Sequence, residues 1–201
     1  MIFRRVWLAV LLVPLLVGVS WADDCDDLTA PQHAQQRIQA CTKAIDSGKW
    51  TGNNQAINYN NRGIAWAVTK QYDQAIADFS KAIEINPKYA KAYYNRGISW
   101  RRKQQIEKAI ADYTKAIELN PNYAKAYGNR AVALALLGRY KEALADAQRG
   151  TELDPSRQTK NREILEWIKK KMAGQSGGTG GGTQAPAKNS GDQTPSSNLI
   201  R

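Results

Sequence analysis

From Ala56 to Pro155 the chain repeats itself every 34 residues. Pro87, Pro121 and Pro155 stand 34 apart, and so do Tyr59, Tyr93 and Tyr127, Gly63, Gly97 and Ala131, and Ala75, Ala109 and Ala143. Residues 56–89 and 90–123 agree at 19 of 34 positions without a gap. A repeat of this length builds an array of like supersecondary units, each burying its apolar side only against its neighbours.

Within a unit the apolar and small residues recur at helical spacing. In the second, Tyr93, Gly97 and Trp100 make one face, Ala109, Tyr113 and Ala116 a second, and the polar stretch Arg101 to Gln105 separates them. The unit ends at Asn120-Pro121, where the residue before proline is steered away from helix. Each unit therefore reads as a helix–turn–helix. Gly97 and Ala109 allow the two helices to approach closely, with Tyr113 and Trp100 filling the space around them.

This succession of aromatic, Gly, aromatic, Ala, aromatic, Ala and Pro resembles the tetratricopeptide repeat, in three copies: 56–89, 90–123 and 124–157. The third departs most, with Ala131 for Gly, Leu134 for Trp and Ala147 for the late aromatic. The resemblance implies an all-α, right-handed α-solenoid whose end units need caps. Residues 158–172, with Ile164, Leu165, Trp167 and Ile168 on one face, suit a C-terminal capping helix. Residues 31–47 resemble the second helix of a degenerate repeat within the N-terminal arm 23–55, with Cys41 in the column of Phe79 and Tyr113. Eight helices are expected.

The two ends read differently. Residues 1–22 combine Arg4-Arg5, a 14-residue apolar run from Val6 to Val19 and small residues before a cut expected after Ala22. The run is shorter than the roughly 20 residues that span a bilayer, so a cleaved signal and no stable membrane insertion afterwards are expected. Resemblance to exported repeat proteins, and the absence of any Asn-x-Ser/Thr site, point to a bacterial periplasmic or secreted protein. In that oxidising compartment Cys25 and Cys41 are expected to form a structural disulfide. Residues 173–201 hold 16 Gly, Ser, Thr or Pro among 29 residues and read as a disordered tether.

The formal charge of +11 falls to +9 without Arg4 and Arg5. Nucleic acid is not the expected partner, because no aromatic–basic interleaving runs along the repeat. One histidine and two cysteines leave no material for a metal site, and no nucleophile–base pair or phosphate-cradling loop appears, so neither catalysis nor a cofactor is expected. The acids recur by column instead. Asp78, Asp112 and Asp146 match Arg62, Arg96 and Arg130, which stand where the family more often has leucine. A bare guanidinium there is costly, so Arg–Asp pairs within each unit are expected, the alternative being local pairing of each Asp with Lys81, Lys115 and Arg149.

In the resembled family a groove is lined by positions 2, 5, 6, 9, 12 and 13 of each unit. Here these include Asn61, then Lys91, Tyr94, Asn95, Arg101 and Arg102, then Lys125 and Asn129, with no carboxylate among them. An extended protein or peptide segment with acidic groups is the natural complement, and a scaffold or adaptor role follows. Of the five residues with which the family's heat-shock co-chaperones clamp a terminal carboxylate, only Asn95 and Lys125 match; Asn60, Ile64 and Asn129 fill the other places. The competing expectation places the working surface on the basic cap helix, ending Lys169-Lys170-Lys171, against an anionic envelope. Oligomeric state has no sequence signal.

Overall fold

The structure is a computed structural model that describes residues 33–154 and 158–176. The signal segment, Cys25 and the tail beyond residue 176 lie outside the described residues. Eight helices follow one another among the described residues: α1 (Ala34–Asp46), α2 (Gly52–Val68), α3 (Tyr72–Ile85), α4 (Ala90–Arg102), α5 (Ile106–Leu119), α6 (Ala124–Leu136), α7 (Tyr140–Leu153) and α8 (Gln158–Ser176). Each packs on its chain neighbours, and lighter contacts join α2 to α4, α4 to α6 and α6 to α8. The result is an α-solenoid of stacked helical hairpins. The α2 helix starts a turn earlier than the repeat register implies, at Gly52.

The hairpins close tightly because the second helix drives a ring into the first. A Cβ added at Gly63 would lie 2.7 Å from Phe79 Cε1, and one at Gly97 would lie 2.7 Å from Tyr113 Cε1. No side chain fits there, so glycine is a packing requirement at both places. The third hairpin exchanges both partners at once, with Ala131 facing the Ala147 column and both buried. The two volume changes compensate, and the hairpin keeps its form.

Each hairpin turn is closed the same way. Lys70, Gln104 and Gly138 have φ of 63°, 61° and 74°, the left-handed conformation that ends a helix. The Gln71 N–H donates back to the Trp66 carbonyl at 2.8 Å, Gln105 to Trp100 at 2.9 Å and Arg139 to Leu134 at 3.0 Å. Between units, the Lys88 and Asn122 N–H groups donate to the side chains of Asn86 and Asn120 at 3.0 and 3.2 Å. The asparagine before each proline thus both stops the helix and orders the connection.

At the C-terminal end Ile164 and Ile168 of α8 bury against Val132, Leu134, Ala135, Ala143 and Ala147. At the N-terminal end α1 takes the place of a missing unit's second helix. Its Thr42 hydroxyl accepts from Arg62 Nη1 at 3.1 Å, as Ser80 accepts from Arg96 and Thr114 from Arg130, both at 3.0 Å.

Candidate functional site

The first helices α2, α4 and α6 lie side by side and form one face of the stack. Their register along it is set by two bonds between neighbours. Asn95 Nδ2 donates to Asn60 Oδ1 at 3.0 Å, and Asn129 Nδ2 donates to the Tyr94 hydroxyl at 2.8 Å. Asn60 in turn donates to Asn61 Oδ1 at 3.4 Å.

These bonds correct part of the sequence expectation. The asparagines at 61, 95 and 129 are not a free ladder of amide groups: the side-chain N–H groups of Asn95 and Asn129 are engaged by the preceding helix. Asn129 and Tyr94 are 5% and 6% exposed, because Tyr94 stacks against Tyr113 and Tyr123, with ring centroids 6.0 and 4.8 Å away. Both belong to the packing between α4, α5 and α6 and are not open contacts for a ligand. Val132 and Ala135, also groove positions by register, are covered where α8 packs on.

The exposed part of the face is basic. Lys91, Arg102 and Lys125 are exposed, and Arg101 is half-buried. None of the four forms an ion pair among the described residues. The second helices differ: Lys81 pairs with Glu84 at 2.8 Å, Lys115 with Glu118 at 2.9 Å and Arg149 with Glu152 at 3.0 Å. Lys103, just past α4, pairs with Asp73, and on the cap helix Lys169 pairs with Glu166 at 2.9 Å.

The buried charges form a separate, internal set. Arg62 holds Asp78 through Nε and Nη2, both at 2.8 Å; Arg96 holds Asp112 at 2.8 and 2.8 Å; Arg130 holds Asp146 at 2.7 and 2.8 Å. The three aspartates are 6–7% exposed. Their hydrogen bonds hold all three guanidinium groups above the ordinary value, against the opposing effect of burial. Each guanidinium also lies over the tyrosine three residues before it, 5.5–5.7 Å from the ring centres of Tyr59, Tyr93 and Tyr127. With Nη1 on a hydroxyl of the preceding second helix, one arginine joins three helices. The hydroxyl partners went unread in the sequence, although Thr42, Ser80 and Thr114 each directly follow the buried residue of their column.

Cys41 is wholly buried. His33 precedes α1 and is half-buried. No three His, Cys, Asp or Glu side chains converge among the described residues to hold a metal ion, and no described helix is long and apolar enough to cross a membrane.

A stack of helical hairpins that presents the first helix of each unit on a common face defines a helical-repeat interaction module. Matches to the tetratricopeptide repeat family cover residues 90–123 and 112–145, and a further TPR match covers 69–99. The chain is a tetratricopeptide repeat protein. The solved structures agree. The first repeat domain of Spaghetti (RPAP3) bound to the HSP90 peptide SRMEEVD is 27% identical, with a TM-score of 0.59, covering 61% of this chain and 97% of that one. The first domain of human RPAP3 is 27% identical, with a TM-score of 0.60 and coverage of 63% and 98%. The Arabidopsis OM64 repeat domain is 29% identical, with a TM-score of 0.56 and coverage of 59% and 97%. No curated protein sequence matches the chain.

Proposed function

We propose that this protein is a non-catalytic scaffold or adaptor that binds a peptide segment with acidic groups along the face of α2, α4 and α6. The observation that carries this is the unequal treatment of cations. On the second helices lysine and arginine are neutralised three residues on by glutamate, whereas Lys91, Arg102 and Lys125 on the first helices have no such partner. Unpaired cations beside half-buried Ile57, Ile64 and Ile98 suit an extended segment carrying both carboxylates and apolar side chains. The similar RPAP3 domain holds an acidic peptide, SRMEEVD, which supports the peptide class without fixing the partner.

The proposal places the chain outside the cytoplasm. It rests on the leader-like residues 1–22 and on a disulfide between Cys25 and Cys41, which would tie the N-terminal arm to α1. Cys41 is not a free thiol, which supports the pairing.

Affinity capture from a bacterial envelope extract tests the reading, using the full chain beside a Lys91→Glu, Lys125→Glu variant. Both positions are exposed, so the reversals leave the packing intact. A protein retained by the parent at moderate salt and lost by the variant supports the groove. Equal capture by both, abolished by moderate salt, overturns it in favour of the basic cap helix.

A further inference from the structure

We propose that the C-terminal ends of α2, α4 and α6 form a docking strip for a glutamate or aspartate side chain flanked by apolar residues, with Arg101 holding the carboxylate. This deepens the peptide-groove reading and rests on it.

Two independent observations converge there. The first is an arginine without a counter-ion. Arg62, Arg96 and Arg130, on the same set of helices, each hold an aspartate through two bonds. Among the described residues no carboxylate pairs with Arg101, and its Nε and Nη2 are buried without a hydrogen-bond partner. The Tyr113 hydroxyl beside it is likewise buried and unbonded. Burial pushes the Tyr113 phenol well above its ordinary range, and the neighbouring Arg101 charge opposes that. A half-buried guanidinium with idle donors is stabilised when an anion arrives. The nearby acids do not supply one: Asp73 is engaged by Lys103 and Glu142 by Arg139.

The second observation concerns the apolar surface. The large hydrophobic residues exposed among the described residues are Val68 at 39%, Leu136 at 37% and Leu137 at 38%. Val68 and Leu136 are both the thirteenth residue of their unit, and Arg102 holds that place in the unit between them. The strip therefore runs apolar, basic, apolar across three neighbouring helices. Packed helices lie roughly 8–10 Å apart, and an extended chain advances roughly 3.3 Å per residue, which makes about three residues per helix. The complementary pattern is apolar-x-x-Glu-x-x-apolar.

Fluorescence anisotropy on the full chain tests it, with a labelled, capped Leu-Ser-Ser-Glu-Ser-Ser-Leu probe and its glutamine counterpart. The glutamate probe should bind about tenfold or more tighter than the glutamine probe. Arg101→Gln should remove that preference, Arg101→Lys should keep part of it, and Leu136→Ser should weaken both probes alike. Thermal melts check that each variant folds, and Arg101→Lys carries the test if Arg101→Gln does not. A preference untouched by either Arg101 variant but lost in Lys91→Glu, Lys125→Glu overturns the strip while leaving the groove reading intact. Equal binding of the two probes, or of neither, while the parent still captures a protein through Lys91 and Lys125, also overturns it; ordered water would then be what satisfies Arg101.

Discussion

Single residues carry the hairpin. The notch at Gly97 and the ring of Tyr113 are one device, as the third unit shows by replacing both. Gly97→Ala places a methyl group 2.7 Å from Tyr113 Cε1 and should cost about 1–3 kcal/mol by overpacking. Tyr113→Ala alone leaves a hole in a fully buried site and should cost about 3–5 kcal/mol. The double variant recreates the Ala131–Ala147 pairing, so its cost in urea unfolding should fall short of the sum by at least about 0.5 kcal/mol. Strict additivity would mean that the ring is not lodged in the glycine notch. The sequence carried this much openly, since both columns recur at 34 residues. The Arg62, Arg96 and Arg130 columns were legible in the same way, together with their facing aspartates. The hydroxyls of Thr42, Ser80 and Thr114 were not, because they act between units, and a comparison of units with one another does not show which neighbour a side chain reaches.

At the scale of the element, the hairpin turn shows where local chemistry yields to tertiary structure. Lys70 and Gln104 adopt a left-handed conformation that costs a side-chain-bearing residue about 1–2 kcal/mol, while Gly138 adopts it freely. Gln104→Gly should therefore stabilise the fold by up to about 1 kcal/mol, and Gly138→Ala should destabilise it by about 1 kcal/mol or more. Chemical denaturation of the two variants reads both signs, and destabilisation by Gln104→Gly would contradict the account. The polar run Arg101 to Gln105 marks a turn in the sequence but not its handedness, since only the third unit has the glycine that announces it. The early start of α2 at Gly52 was hidden for a related reason: the first unit follows a longer connection, where the repeat register no longer applies.

At the scale of the whole molecule, the stack separates charge by role. Inside, three arginines tie each first helix to its own second helix and to the one before. Outside, the second helices neutralise their cations locally, and the first helices leave theirs open. The sequence supplied the groove positions through their register, but not which are open. Tyr94 and Asn129 turn inward because adjacent first helices bond through them, a consequence of stacking that no single unit contains. The central claim is that partners dock on the first-helix face. Photo-crosslinking tests it most directly, with a photoreactive residue in place of Lys91 or Lys125 on that face, or of Lys81 or Lys115 on the second helices. All four positions are exposed, so each reports on its surface alone. The account predicts a shared crosslinked partner from Lys91 and Lys125 and none from Lys81 and Lys115; crosslinks confined to the second helices would contradict it.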